Sequence, residues 1–258
     1  MRHEEEEYGT SAARYYDPAY AVLRRGSADV EFYRALARET GGPVLELGCG
    51  SGRVLLPIVR DGIDGTGLDA SGEMLERLRR KDPPAHLRLV EGRMENFDFG
   101  SERFALIYSA FRAFQHLLTV EEQLGCLAAV RKHLAPRGFF AFDVFAPLLQ
   151  RIALPEEPET EDVRFQIDGE EVIRFVSVRR DLATQIMDVT FRYERRREGS
   201  VIGNDIMRTR MRYFFRYELA HLLARAGFGK ARFFGGFDRR PYDYVSGETV
   251  IVASPDGG

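Results

Sequence analysis

The sequence contains no tryptophan and only two cysteines, Cys49 and Cys126, among its 258 residues. Two cysteines without a paired spacing predict neither a disulfide framework nor a zinc motif, so we expect a protein of the reducing cytoplasm. No apolar run approaches the roughly 20 residues that a membrane-spanning helix needs, and no segment has the pattern of a signal peptide. We therefore expect no membrane partner.

Lysine is also scarce, since only Lys81, Lys132 and Lys230 are lysines among the 37 lysines and arginines. The formal net charge of −3 at pH 7 provides no overall positive field, and we expect no nucleic-acid partner. Hydrophobic residues make up 44% of the chain and include 19 phenylalanines, which is enough for a substantial core. A chain of this size forms one large domain, or one domain with an added element.

The most informative segment is a short apolar strand that runs into three alternating glycines, Gly48, Gly50 and Gly52, and then into a helical pattern. A strand, a glycine turn and a helix in this order hold nucleotide-like ligands, because glycine adopts positive φ and lets the backbone approach the ligand closely. The acid Glu46 precedes the glycines. A second acid, Asp69, ends the next strand, where a carboxylate binds ribose hydroxyls.

The spacing of the glycines does not fit a dinucleotide-binding loop. The fingerprint of that loop is Gly-x-Gly-x-x-Gly, and its third glycine is replaced by Arg53 in one reading frame and by Leu55 in the other. No Gly-Lys-Ser/Thr follows, so a phosphate-binding loop is absent as well. An NAD-dependent oxidoreductase is therefore disfavoured.

The periodicity of the chain changes near residue 146. Before it, short apolar strands alternate with helices, which predicts a parallel sheet with helices on both faces. The predicted strands are 43–47, 63–69, 86–90, 104–109 and 138–145, and the predicted helices are 28–40, 53–60, 72–80 and 120–134. Residues 146–162 are predicted to be a loop. The runs that follow alternate apolar and polar residues and predict antiparallel strands at 163–167, 172–179, 186–195 and 206–215, followed by a helix over 216–226.

The segment Glu46-Leu-Gly-Cys-Gly-Ser-Gly52, with Asp69 downstream, resembles motif I of the class I S-adenosylmethionine-dependent methyltransferases. The resemblance extends from about Tyr8 to Ser254, and it is greatest to small-molecule N-methyltransferases of the amino-sugar and glycine types. It implies an α/β fold: a Rossmann-like, seven-stranded, mostly parallel sheet with helices on both faces, plus an antiparallel β insert between strand 5 and the last helix. It also implies S-adenosyl-L-methionine as cofactor, S-adenosyl-L-homocysteine as product and a small-molecule acceptor.

On this resemblance the chain divides into four segments. Residues 1–42 form an N-terminal helical cap, and residues 43–150 form the Rossmann-like core that binds S-adenosylmethionine. Residues 151–215 are the β insert, which covers the active site and builds a homodimer in such enzymes. Residues 216–254 complete the core.

The resemblance implies two groups of site residues. The cofactor group contains Tyr15, Glu46, Gly48, Cys49, Gly50, Gly52, Asp69, Ala70, Met74, Arg93, Met94, Ser109 and Ala110. Arg93 departs from the family pattern, which usually has an acid at that position beside the adenine. The catalytic group contains His116 to orient or deprotonate the acceptor, Tyr16 to place its phenol near the methyl group, and Arg112 to hold an anionic group of the acceptor. No metal site is expected.

Two other functions stay open at this point. The β insert carries more arginines than acids, and a nucleic-acid methyltransferase would use such a surface. A protein that binds S-adenosylmethionine without transferring the methyl group is the second alternative, since methyl transfer relies on few obligatory side chains. An amine acceptor is favoured because it needs only a dry pocket and a mild base.

Overall fold

The computed structural model describes residues 10–23, 28–243 and 245–256. The described residues form seven α-helices: α1 (Thr10–Leu23), α2 (Ala28–Thr40), α3 (Leu55–Arg60), α4 (Gly72–Arg79), α5 (Val120–His133), α6 (Leu149–Ile152) and α7 (Arg216–Arg225). They also form eleven strands: β1 (Val44–Leu47), β2 (Gly65–Asp69), β3 (Leu87–Glu91), β4 (Phe104–Ser109), β5 (Leu134–Phe145), β6 (Glu156–Ile167), β7 (Glu170–Asp181), β8 (Ile186–Arg197), β9 (Ser200–Arg212), β10 (Lys230–Phe234) and β11 (Glu248–Ser254). A 3₁₀ helix spans Ala113–His116.

The structure divides into two compact units, and this grouping differs from the four segments expected from the sequence. The core unit contains residues 28–148 and the chain from 213 onward, so α2 belongs to it. The insert unit contains α1 together with residues 149–212. The boundaries of functional domains stay a prediction. Within the described ranges, every helix is too short or too polar to cross a membrane.

The core unit is built on a seven-stranded sheet with the strand order β10-β11-β5-β4-β1-β2-β3. β1 to β5 pair in parallel, whereas β11 runs antiparallel to β5 and to β10. The predicted mixed, mostly parallel sheet is confirmed. The chain leaves β1 towards β2 on one side and later returns to β4 on the other. Ligands of such sheets bind beyond the carboxyl ends of the strands at this switch in strand order.

Helices cover both faces of the seven-stranded sheet. Because successive residues of a strand point to opposite sides, each strand contributes to two hydrophobic clusters. Leu45 of β1 and Phe142 of β5 pack in the cluster that includes the apolar faces of α5 and α7. Val44 of β1 and Tyr108 of β4 pack in the opposite cluster, which is closed by α2, α3 and α4. This packing fixes the carboxyl ends of the strands, where the candidate site residues lie.

Two of the helices that cover this sheet begin at capping residues that the sequence provides. The Ser71 hydroxyl accepts a hydrogen bond from the Met74 backbone N–H and caps α4. At the start of α5, the Thr119 hydroxyl accepts from the Glu122 N–H, and the Glu122 carboxylate accepts from the Thr119 N–H. This reciprocal capping box satisfies two backbone donors that the first helical turn leaves open.

The insert unit is a four-stranded antiparallel sheet with the order β6-β7-β8-β9. The antiparallel insert is therefore confirmed, but the predicted loop over 146–162 is wrong. The segment predicted as a loop contains the short helix α6 and the first half of β6, which begins at Glu156. Pro158 is tolerated there because β6 is an edge strand whose register shifts between Glu157 and Thr160.

Candidate active site

The glycine turn follows β1 at the carboxyl edge of the core sheet. Gly48, Gly50 and Gly52 all have positive φ, at 72°, 52° and 79°. The Gly48 N–H donates to the Leu68 carbonyl at 2.8 Å, and the Gly52 N–H donates to the Cys49 carbonyl at 2.9 Å. The turn is therefore a closed backbone structure that starts one residue after β1 and leads into α3.

The space around the turn excludes side chains at the glycine positions. A Cβ atom at Gly48 would lie 2.7 Å from the Ala113 Cβ, and one at Gly52 would lie 2.3 Å from the Leu78 Cδ1. At Gly50 the nearest atom would be the Met74 Cε at 3.2 Å. Only glycine meets both the conformation and the space that this turn provides.

Asp69 ends β2 and joins the glycine turn to the next helix. Its Oδ2 accepts a hydrogen bond from the Gly50 N–H at 2.6 Å, and its Oδ1 accepts from the Ser71 N–H at 2.9 Å. Burial raises the pKa of this carboxyl, whereas the two backbone donors oppose that rise. The two donors hold the carboxylate in one orientation, and each oxygen keeps a lone pair for a ligand hydroxyl.

Glu46 is buried in β1 with only 3% of its surface exposed. Burial raises the pKa of Glu46 well above its ordinary value, and a hydrogen bond from the Tyr108 hydroxyl to Oε2 at 3.2 Å opposes this. Its role as a cofactor ligand stays a prediction, since the structure shows it first as an internal partner of Tyr108.

Of three further predicted cofactor residues, Met74 and Met94 lie beside the turn and Arg93 lies in the segment after β3. Met74 is buried on α4 beside Gly50, and Met94 places its Cε 3.5 Å from where a Cβ of Gly48 would lie. Arg93 is more than half exposed and forms an ion pair with Glu95. The charges at these two positions therefore neutralise each other within the segment that follows β3.

The remaining predicted cofactor residues have contrasting environments. Cys49 is buried within the turn, and burial raises the pKa of its thiol well above the ordinary value. Ala70 is exposed after β2. Ser109 and Ala110 are buried at the end of β4, and the Ser109 Oγ has no hydrogen-bond partner in the described part of the chain.

Tyr15 and Tyr16 lie on α1 in the insert unit. Tyr15 is fully buried, stacks on Tyr193 with ring centroids 4.4 Å apart, and donates its hydroxyl to Asp205. Burial raises the pKa of Tyr15 to about 12. This environment gives Tyr15 a structural role and does not support the predicted cofactor contact. Tyr16 is half-buried, and its ring contacts that of Tyr20 at 4.5 Å.

The predicted acceptor residues Arg112 and His116 lie on the segment that follows β4. The guanidinium of Arg112 pairs with the Glu248 Oε1 at 3.1 Å and lies over the ring of Phe145. His116 is the last residue of the 3₁₀ helix and is half-buried. That helix is anchored to β5, because the Gln115 Oε1 accepts from the Phe145 N–H at 3.1 Å.

The structure adds buried polar residues that sequence reasoning missed. Tyr33 on α2 donates its hydroxyl to the Asp143 Oδ1 at 2.7 Å, and its ring stacks on Tyr108 with centroids 4.9 Å apart. Asp143 is fully buried near the end of β5. Its signal in the sequence is a lone acid inside an apolar strand, and such an acid must find buried hydrogen-bond donors.

A second missed group lies at the start of α3. The Arg53 guanidinium donates to the Asp29 Oδ2 of α2 at 2.5 Å and lies 4.7 Å above the ring centroid of Phe111. The residue that breaks the dinucleotide fingerprint thus connects the glycine turn with α2 and with the segment after β4. Among the residues that the structure describes, no three His, Cys, Asp or Glu side chains are grouped to hold a metal ion.

Comparison with known proteins agrees with this geometry. Residues 44–138 match the family described as "Methyltransferase domain". The chain is 27% identical over 140 residues to the cypemycin N-terminal methyltransferase of a Streptomyces species, covering 54% of this chain and 57% of that protein. It is 33% identical over 95 residues to dTDP-3-amino-3,4,6-trideoxy-alpha-D-glucopyranose N,N-dimethyltransferase of Streptomyces venezuelae, covering 37% and 39%. The matches thus span about half or less of these curated relatives.

The fold comparison extends over nearly the whole chain. The solved structure of the CcbJ methyltransferase from Streptomyces caelestis superimposes with a TM-score of 0.76 at 26% identity, covering 90% of this chain and 97% of that one. Residues 44–138 therefore match a methyltransferase domain, and the predicted Rossmann-like fold is confirmed by its likeness to this solved methyltransferase. The cofactor that the resemblance implies is S-adenosylmethionine.

The residues present at the carboxyl edge fit this cofactor. The glycine turn leaves no side chain between its backbone and a ligand. Asp69 offers an oriented carboxylate for hydroxyls, and the apolar ends of Met74 and Met94 lie against the same turn. A ligand with a ribose, a flat base and a short aliphatic chain matches these three surfaces.

Proposed function

We propose that this chain transfers a methyl group from S-adenosylmethionine to the amine nitrogen of a small molecule, with an amino sugar as the leading acceptor. The observation that supports S-adenosylmethionine as the methyl donor is the glycine turn, whose Gly50 N–H donates a hydrogen bond to the Asp69 carboxylate. The acceptor half is supported by the two curated relatives, both of which are named for methylation at an amine or a peptide N-terminus.

Each cofactor residue has a specific task in this proposal. Asp69 binds the ribose hydroxyls, the turn from Gly48 to Gly52 receives the methionine part, and Met94 lies against the adenine. Met74 supports the turn beside Gly50. When bound, the cofactor supplies an activated methyl group on a sulfonium. The ion pair between Arg93 and Glu95 then replaces the single acid that the family usually places beside the adenine.

The chain's own contribution to the transfer is alignment, exclusion of water and removal of a proton. An amine attacks only through its free lone pair, so it must arrive uncharged or lose a proton in the site. In this proposal His116 takes that proton. The anchoring of its helix to β5 through Gln115 supports this role. Arg112 holds an anionic part of the acceptor, such as the phosphates of a nucleotide sugar. The role of Tyr16 on α1 stays a prediction.

Turnover against a panel of acceptors tests this proposal. We expect methylated product, 14 Da heavier per methyl group, with nucleotide-linked amino sugars and none with phenols or RNA. Replacing His116 by alanine is expected to lower kcat by about 100-fold, the low end of the range for general-base catalysis, with little change in cofactor affinity. The exposed His221 on α7 is the matched control, and His221→Ala is expected to leave kcat unchanged. A wild-type protein that binds cofactor and methylates no amine would instead be a binding protein.

We also propose that the chain forms a homodimer through the insert unit and works in the cytoplasm. The edge strand β9 exposes Val201, Ile202 and Ile206, each by more than 40%, and an unpaired apolar edge favours pairing with a second chain. Two buried, unpaired cysteines are typical of a reducing compartment. We expect a dimer in analytical ultracentrifugation at micromolar concentration and a shift to monomer in Ile206→Arg. A monomeric wild type would contradict the dimer.

A further inference from the structure

The carboxyl group of Asp143 holds the first residue of the segment that leads from β4 to His116. Asp143 is 0% exposed, and its Oδ1 accepts from the Phe111 N–H at 2.8 Å and from the Tyr33 hydroxyl at 2.7 Å. Phe111 is two residues beyond the end of β4. A single buried oxygen therefore ties this segment both to β5 and to α2.

The backbone that Asp143 holds is strained. Phe111 and Arg112 are consecutive non-glycine residues with φ of 55° and 69°, a conformation that L-residues rarely adopt. Residues in such conformations persist only when their surroundings over-determine them, and they concentrate at functional sites. Here the strained pair leads directly into the 3₁₀ helix that ends at His116.

Two other contacts hold the same turn. The ring of Phe111 lies under the guanidinium of Arg53, the residue that follows the glycine turn. Arg112 pairs with Glu248 of β11. The turn therefore lies between the cofactor-binding backbone and the acceptor-side residues, and its conformation determines where Arg112 and His116 lie relative to that backbone.

The second carboxyl oxygen of Asp143, Oδ2, is buried and has no hydrogen-bond partner among the residues described, although most buried polar side-chain atoms have at least one. The titratable groups that face Asp143 are the neutral phenol of Tyr33 from α2, the carboxylate of Glu248 from β11 and the guanidinium of Arg112 from the turn itself. Burial and the Glu248 charge raise the pKa of Asp143 to about 6. An apolar residue would avoid this desolvation, so the acid is retained for what its Oδ1 holds.

We propose that Asp143 is a positioning residue for methyl transfer, which fixes the left-handed turn at Phe111–Arg112 and thereby places His116 and Arg112 at the acceptor. This inference rests on the proposed function and adds to it a residue that touches neither cofactor nor acceptor. Asp143 acts through the Phe111 N–H, and Tyr33 in turn holds the carboxyl oxygen. The consequence is that kcat depends on a carboxyl group buried behind the reacting groups.

Kinetics of three variants test this proposal. In Asp143→Ala we expect kcat to fall about 100-fold, with the dissociation constant for S-adenosylhomocysteine changed less than threefold, because the cofactor turn is held by Asp69. Asp143→Asn keeps an acceptor oxygen for the Phe111 N–H and is expected to recover kcat to within about tenfold of wild type. Tyr33→Phe keeps the ring stack on Tyr108 and is expected to fall between these two. Should Asp143→Ala not fold, Asp143→Asn and Tyr33→Phe still decide the question.

Hydrogen exchange provides a readout that needs no turnover. In Asp143→Ala we expect the amides of residues 111–117 to exchange at least tenfold faster, while those of residues 44–52 keep their protection. The control is Val144→Ala, since Val144 is equally buried on the same strand and points to the other face of the sheet. It is expected to leave both kcat and the exchange of residues 111–117 near wild type.

The outcomes separate this proposal from the proposed function. Wild-type turnover with unchanged kcat in all three variants would overturn the positioning role alone. A parallel loss of kcat and cofactor affinity, or the same loss in Val144→Ala, would show a merely structural role. Absence of amine turnover in the wild-type protein would overturn the proposed function and the positioning role with it.

Discussion

Asp69→Ala is expected to weaken the binding of S-adenosylhomocysteine by about 100- to 1,000-fold, which corresponds to roughly 3–4 kcal/mol. The reason is that in the proposed function the Asp69 carboxylate binds two ribose hydroxyls, and hydrogen bonds to a charged group contribute about 1.5–3 kcal/mol each. The same carboxylate also accepts from the Gly50 and Ser71 N–H groups, so its removal also releases the turn. Isothermal titration calorimetry measures the change directly.

A second substitution separates the two tasks of Asp69. Asp69→Asn keeps one acceptor oxygen but replaces the other with a donor, so we expect a loss of about tenfold to 100-fold. The matched control is Asp64, an exposed residue directly before β2, at the opposite end of that strand from Asp69. Asp64→Ala is expected to leave the affinity unchanged. An Asp69→Ala protein that binds within threefold of wild type, or a wild type that binds NAD instead, would contradict this reading of the turn.

The conformation of the glycine turn and the strand end at Asp69 were predictable because their signals are local. The alternating glycines, the acid before them and the acid at the end of β2 lie within 24 positions of one another in the chain. Each reports a backbone requirement, namely positive φ or a strand end, that depends little on distant residues. The cap at Ser71 was predictable for the same reason.

The acceptor half was predictable only in part, because it depends on contacts distant in sequence. Tyr33 and Asp143 are 110 positions apart, and neither carries a motif. The left-handed turn at Phe111–Arg112 contains no glycine, so the sequence gives no sign of its conformation. A hydrogen bond from the Phe111 N–H to Asp143 holds it instead. Pattern reasoning locates a strand end and a helix, but it does not show which buried acid holds the connection between them.

The insert unit shows a different limit of sequence reasoning. Residues 156–162 are rich in glutamate and contain Pro158, which predicted a loop. They form an edge strand because β7 supplies a backbone partner and arginines that pair with acids of this segment, such as Arg179 with Glu156 and Arg174 with Asp162. Cross-strand pairing of this kind outweighs low strand propensity, and it is invisible until the register is known.

Within the core unit, the two halves of the site are linked through buried side chains. Tyr108 donates to Glu46 below the glycine turn, Tyr33 stacks on Tyr108, and Tyr33 donates to Asp143 below the acceptor turn. All four residues are buried, and the α2 residue Tyr33 stands in the middle. This explains why α2 belongs structurally to the core, although its sequence has no cofactor motif.

Gly52→Ala is expected to lower the free energy of unfolding by about 2–5 kcal/mol. Gly52 has φ of 79°, which costs an L-residue roughly 1–2 kcal/mol. In addition, its new Cβ would lie 2.3 Å from Leu78 Cδ1, 3.1 Å from Cδ2 and 3.2 Å from Cγ. Leu78 is fully buried on α4, so it has no free space to move into, and overpacking of this kind costs about 1–3 kcal/mol. Urea denaturation of each variant measures the change.

Gly62→Ala isolates the backbone part of this cost. Gly62 has a comparable φ of 89°, but nothing lies within 4 Å of where its Cβ would be, so we expect a loss of only about 1–2 kcal/mol. The double variant Gly52→Ala with Leu78→Ala isolates the steric part, because removing the leucine side chain relieves the clash. Its destabilisation should be smaller than the sum of the two single variants by about 1–3 kcal/mol. If Gly52→Ala and Gly62→Ala lose the same stability and the double variant is additive, α4 does not constrain the turn. The excess loss at Gly52 would instead mean that packing of α4 holds the glycine turn in the shape that receives the cofactor.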